Sequence, residues 1–158
     1  MGNPLPYLGS CAKVHGMRVD RHDAIVSLIA EKLKRNGNWT VMIEPKDERN
    51  FKPDIVVKAN DKSKAWIIDP TIRTEVSNED IEVKNKEKEE KYGPTAQQFR
   101  QEGFRTVTVN GLWIGARGVL SKEGKRLLKS LGFSKKDLQE IISTVLKLSY
   151  SMYRMFLQ

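Results

Sequence analysis

The sequence predicts an α/β domain on a small mixed four-stranded sheet, followed by a two-helix C-terminal extension. Three observations carry this expectation. Short β-rich apolar segments alternate with segments of helical periodicity in the order α-β-β-β-α-β. Two of those strands are joined by a four-residue polar turn. Two further amphipathic stretches at the end are separated by Gly132-Phe133-Ser134, a helix stop followed by a helix cap.

The elements follow in chain order. Residues 1–18, rich in Gly and Pro, read as an irregular lead-in, and 19–158 as one domain with its core at 20–114. From Asp20, the residues Ile25, Leu28, Ile29 and Leu33 recur at helical spacing up to the stop Asn36-Gly37. Residues 39–43 are β-rich and end at Glu44-Pro45. Residues 52–57 make a second strand, its proline tolerable at the strand start. Residues 65–69 make a third, whose nearly continuous apolar character suits a central position. A helix is expected over 79–101, capped by Ser77 or Asn78. A fourth strand follows over 104–113, with Thr106-Val107-Thr108-Val109 alternating. The last helices are expected at 121–131 and 134–156. The second of them carries Ile141, Ile142, Val145, Leu148, Tyr150, Met152, Tyr153 and Phe156. That apolar set either covers the domain's own sheet or serves a partner.

Composition narrows the function classes. The chain has 158 residues, 39% hydrophobic and 30% charged, which is enough for one packed core. No apolar run approaches the roughly 18–20 residues of a membrane span, and residues 1–6 lack a signal-peptide pattern, so an intracellular protein is expected. The single cysteine, Cys11, excludes an internal disulfide framework and a zinc site built mainly from cysteines. The net charge of +8 is uneven. Residues 115–158 carry nine Lys/Arg against three Asp/Glu and residues 1–37 six against three, whereas 79–91 carry four against six. Basic ends around a neutral-to-acidic middle suit a protein that grips phosphates with its ends and does metal chemistry between them. A random surface distribution would read the same way on charge alone.

The middle holds the informative pair. If the turn at 60–63 is symmetric, partners sum to 123, and Asp54 faces Asp69 across the hairpin with Cβ atoms about 5 Å apart. Like charges so placed are unfavourable, and a divalent, oxygen-loving cation such as Mg²⁺ removes the penalty. An asymmetric turn would instead leave two ordinary strand-end aspartates. On the 79–101 helix, Ile81, Tyr92, Ala96 and Phe99 form one face, and Lys88 falls within it. Lys84 and Lys91 lie beside it, and Glu90 points away. An inward lysine either snorkels to solvent or meets an anionic partner, which the two aspartates or a phosphate bound with their metal would supply.

These residues, in this order, resemble the PD-(D/E)xK restriction-endonuclease-like fold. The finer resemblance is to the C-terminal endonuclease domain of non-LTR retrotransposons of the restriction-like class. It rests on Arg21-His22-Asp23, Glu44-Pro45, Lys52-Pro53-Asp54, Ile68-Asp69-Pro70-Thr71, the element Lys88 to Tyr92, and Gly115-Ala116-Arg117-Gly118. The superfamily places its lysine two residues after the second acid, where this chain has Thr71. In the retrotransposon branch the lysines lie on the following helix, which makes Lys88 and Lys91 the carried-over pair.

The resemblance implies a Mg²⁺- or Mn²⁺-dependent DNA endonuclease, with one or two ions on Asp54 and Asp69. Lys88 and Lys91 would stabilise the phosphorane or orient the water, and Glu44 is either an additional acid or a surface residue. Arg21 and His22, placed at a helix N-terminus, would bind DNA phosphate together with Lys84 and Arg117, although His22 equally suits a core hydrogen bond. The expected reaction is a nick in target DNA that primes reverse transcription, in the nucleus, beside the reverse transcriptase and DNA-binding domains of a parent element. Relatives carry a Cys/His knuckle just before this domain. Cys11, His15 and His22 are its only remnants here, and no zinc is expected. A monomer or weak dimer is expected, without a membrane partner. Two alternatives keep the same fold: a catalytically inactive DNA-binding module, and a structure-specific nuclease of the Holliday-junction-resolvase kind.

Overall fold

The computed structural model describes residues 12–47, 49–74 and 78–158, with the side chains of residues 78 and 79 excepted. A 3₁₀ turn (Ala12–Val14) leads into α1 (His15–Leu33), followed by β1 (Trp39–Ile43), β2 (Ile55–Ala59) and β3 (Lys64–Arg73). Then come α2 (Asn78–Gln101), β4 (Thr106–Gly115), α3 (Lys122–Ser130) and α4 (Lys135–Leu157). The architecture is α/β with one mixed sheet, ordered β1-β2-β3-β4, antiparallel except for the parallel pair β3–β4. No helix among the described residues is long and apolar enough to cross a membrane.

Alternation along the strands divides the core in two. Val56, Ala65, Ile67 and Val107 turn to one face, where Tyr92, Ala96 and Phe99 of α2 cover them. Ile55, Val57, Ile68, Leu112 and Ile114 turn to the other, under α1, α3 and α4. The apolar residues of α4 therefore cover the domain's own sheet, with Ile141 and Val145 fully buried.

The second and fourth strands lie two to three residues later than expected, at Ile55–Ala59 and Thr106–Gly115, and two further boundaries differ for a tertiary reason. Residues 1–11 of the expected lead-in lie outside the described residues, as do Cys11 and the candidate cap Ser77. The rest of that lead-in is ordered as helix. α1 begins at His15 rather than near Asp20, because Val14 is buried against Met152 of α4, and that tertiary contact outweighs the poor helix signals of the segment. The third strand also runs on past Asp69 through Pro70. Pairing with β2 ends at Ile68 while pairing with β4 continues to Arg73, and the Pro70 carbonyl is taken by a side chain. A proline is tolerated where its missing N–H has no neighbouring strand to serve. The tail helices match the stop and cap expected of them: Gly132 has φ +86°, and Ser134 forms a capping box with Asp137.

Candidate active site

The β2–β3 hairpin has the symmetric register. Ile55 pairs with Ile68, so the next residues along, Asp54 and Asp69, stand side by side where the two strands part. The row continues on both sides. Glu44 donates its N–H to the Asp54 carbonyl at 2.9 Å, and Asp69 pairs with Gly111 of β4. The buried Pro53 precedes Asp54 without needing a hydrogen-bond partner for an N–H.

Each carboxylate meets a cation from a different helix. Lys88 of α2 reaches down to Asp69, Nζ to Oδ1 2.7 Å, with both side chains 14% exposed. The same ammonium donates to Thr71 Oγ1 at 2.7 Å and to the Asp69 carbonyl at 3.4 Å. From the other face of the sheet, α1 brings His22 to its end. Nε2 lies 3.3 Å from Asp54 Oδ2 and 3.2 Å from the Pro70 carbonyl, and Nδ1 lies 3.3 Å from Asp23 Oδ1. With both ring nitrogens protonated, His22 donates to all three oxygens.

The electrostatics follow from this crowding. The hydrogen bond to Asp54, partly offset by burial, raises the His22 pKa to about 9. Burial, followed by the charge of Asp69, pushes the Asp54 carboxyl above its ordinary value despite the His22 contact. Burial and then the two carboxylates push the Tyr92 hydroxyl well above the usual tyrosine range. His22 thus offsets the burial of Asp54 incompletely.

His22 yields a direct prediction for metal-free protein. Its folded pKa of about 9 lies above the ordinary 6.5, so its stabilising share is complete below about pH 6.5 and is lost as pH rises through about 9. NMR titration of the imidazole is expected to give a midpoint near 9 in wild type, falling toward 6.5 in Asp54→Asn. An unmoved midpoint in that variant would show that Asp54 is not the cause.

Backbone space lets Lys88 reach the acids. A Cβ at Gly111 would overlap Asn85 Oδ1 and lie 3.0 Å from Trp113 Nε1 and 3.4 Å from Lys88 Cδ. Asn85 Oδ1 accepts from Trp113 Nε1 at 2.8 Å, and the Trp113 ring lies 5.1 Å from Lys88 Nζ. Glycine at this row therefore admits the side chains that flank the lysine. Sequence reading left Gly111, Asn85 and Trp113 aside. An isolated glycine inside a strand pattern was the available signal, since it marks a close approach of some other group.

The remaining candidates separate. Lys91 is exposed, its ammonium 4.8 Å from the Tyr92 ring centroid, and it makes no ion pair with either aspartate. Lys84, one turn before Lys88 on α2, pairs instead with Glu87 at 2.9 Å. Glu44 sits at φ 47° with an exposed side chain, and among the described residues no three His, Cys, Asp or Glu side chains converge as a metal cluster. Arg117 is exposed in the turn after β4, which the positive φ of Gly118 shapes.

Arg21 departs from its expected place. With α1 starting at His15, it lies in the second turn rather than at the N-terminus. It is 6% exposed and donates from Nη1 to Ser149 Oγ of α4 at 2.8 Å. It pins two helices together and is turned away from solvent phosphate.

The donor set suits a hard cation. Mg²⁺ commonly takes one or two carboxylates and fills its remaining positions with water and substrate phosphate, so a pair of aspartates is a sufficient protein contribution.

No protein-family model matches the chain. It is similar to a stretch of the retrovirus-related Pol polyprotein from type-1 retrotransposable element R2 of Nasonia vitripennis, 27% identical over 154 residues. That similarity supports a retrotransposon origin. The aligned stretch covers 92% of this chain but 14% of the polyprotein, so the chain corresponds to a small part of its relative.

Proposed function

We propose that this chain is a restriction-endonuclease-like domain that nicks DNA with Mg²⁺ or Mn²⁺, priming reverse transcription for a non-LTR retrotransposon. The observation that supports it best is one ammonium, Lys88 Nζ, held 2.7 Å from Asp69 while Asp54 stands on the adjoining strand. Two carboxylates can hold the ion for metal-assisted phosphodiester hydrolysis, and a lysine beside them can stabilise the charge that develops. The lysine arrives from α2 and lands on Thr71 Oγ1, at the position where the superfamily's own lysine would stand. The similarity to a retrotransposon Pol segment adds support from a separate direction.

In this reading Asp54 and Asp69 hold the ion, which when bound polarises the scissile phosphate and lowers the pKa of the attacking water. Lys88, fixed by Thr71, presents positive charge to the phosphorane oxygens. His22 fixes Asp54 against the Pro70 carbonyl. DNA is the substrate, the site of action is the nucleus, and reverse transcriptase and DNA-binding domains of the parent element supply the remaining steps.

The test is conversion of supercoiled plasmid to the open circle. Nicking is expected with Mg²⁺ or Mn²⁺ and none with EDTA. Nicking that persists in EDTA, or no nicking with either ion, would overturn the proposal.

A further inference from the structure

The helix α3 has two opposed stripes. Lys122, Lys125, Arg126 and Lys129 recur at i, i+3, i+4 and i+7, all exposed, on the side opposite the buried Gly124 and Leu128. Among the described residues none of the four forms an ion pair, a state they share with other exposed lysines such as Lys34 and Lys86, so it is their alignment on one helix face that sets them apart. Part of the stripe works against the helix that carries it, although Lys129 in the last turn suits the dipole. Lys122 and Arg126, like Lys125 and Lys129, are like-charge i,i+4 pairs, and Lys122 sits at the positive end of the helix dipole. Cations placed against local stability point to an anion from outside the chain.

α3 packs on the sheet face opposite α2 and Lys88, the face it shares with α1 and so with His22, and it starts beside β4 two residues past Gly111 of the acidic row. Its cap residue Ser121 donates its N–H to the Trp113 carbonyl at 3.2 Å, and Trp113 is the residue whose ring lies beside Lys88. Gly124 lets the helix close on β4, since a Cβ there would lie 2.8 Å from Leu112 Cδ1. From Lys122 to Lys129 the stripe runs about 10 Å at 1.5 Å per residue. That is about three steps, or four successive phosphates, along one strand of B-DNA.

We propose that this α3 stripe holds the phosphate backbone of duplex DNA next to the acidic site. The inference rests on the reading of the chain as a DNA-acting domain and adds where the duplex lies. A membrane surface fits poorly, because an interfacial helix inserts its apolar side and that side of α3 is packed into the core.

The test is binding of the full chain to a fluorescein-labelled DNA duplex in EDTA, by anisotropy, across 50–200 mM salt. Glutamine at all four positions is expected to flatten the log K against log salt slope by about 3–4, at about 0.9 per phosphate contact. Affinity at 100 mM salt should fall at least about tenfold. Glutamine at the exposed Lys34, Lys86, Lys147 and Arg154, an equal loss of charge, should leave the slope near wild type. An unchanged slope in the α3 variant, an equal loss in the control, no duplex binding by wild type, or tighter binding to phosphatidylserine vesicles than to duplex would each overturn the proposal.

The outcome is separable from that of the nicking assay. Asp54→Asn should lose nicking and keep the slope. An α3 variant that binds like wild type overturns the stripe and leaves the nuclease reading standing. A wild type that never nicks, paired with an α3 variant that loses its slope, overturns the nuclease reading and supports the stripe.

Discussion

Alanine at Lys88 is expected to lower plasmid nicking by about 10²–10³-fold, the usual loss when one preorganised group facing transition-state charge is removed. Alanine at Lys84 or Lys91 should leave the rate within a few-fold of wild type. The three lysines share one helix within eight residues, so charge and propensity hardly distinguish them. Geometry does: Lys88 Nζ is 2.7 Å from Asp69 Oδ1 and 2.7 Å from Thr71 Oγ1, Lys84 answers Glu87, and Lys91 lies over Tyr92. Asn at Asp54 or Asp69 should reduce nicking at least as far as Lys88→Ala, because each removes a metal-holding charge. A Lys91 variant more impaired than Lys88→Ala, or an active Asp69→Asn, would show that the chemistry is elsewhere.

Gly111→Ala is expected to be as informative although its side chain takes no part in any reaction. The new methyl would overlap Asn85 Oδ1, so Asn85 must give up the Trp113 indole N–H. Trp113 is 3% exposed, and leaving its N–H unpaired costs about 1–3 kcal/mol of stability. The same methyl presses on Lys88 Cδ. A displacement of about 1 Å at a catalytic group can lower the rate by about 10²-fold. Gly16→Ala supplies the contrast: nothing lies within 4 Å of that Cβ, and in a helix the change should add about 0.5–1 kcal/mol. Thermal unfolding and the nicking assay together check both. A Gly111→Ala protein with wild-type melting and rate would mean that the lysine does not depend on that close approach.

Much of this site was legible in the chain because it rests on short-range rules. The polar turn at 60–63 sets the register of one hairpin, and register alone brings Asp54 beside Asp69. Helical phase places Lys88 on the same face as Tyr92, Ala96 and Phe99, which are all buried against the sheet. Neither inference needs knowledge of how distant elements pack.

Arg21 and His22 show where that reasoning stops. They are neighbours about 100° apart on one helix, and sequence put both toward phosphate while leaving a core hydrogen bond equally open for His22. The packing of α1 between the sheet and α4 sends Arg21 to Ser149, 128 residues away, and His22 to Asp54, 32 residues away. Propensity carries no information about which side of a helix will meet which neighbour. The start of α1 was lost for the same reason, since the contact of Val14 with Met152 joins the two ends of the described chain.

The sequence by itself determined the order of elements, the facing aspartates and the inward lysine, since periods of 2 and 3.6 residues and the chemistry of one turn are local properties. Tertiary structure decided which lysine meets the acids, that His22 rather than Arg21 joins them, and that Gly111 must lack a side chain. Those outcomes depend on how a helix is rotated and seated against a sheet, and that is settled only when the whole core packs.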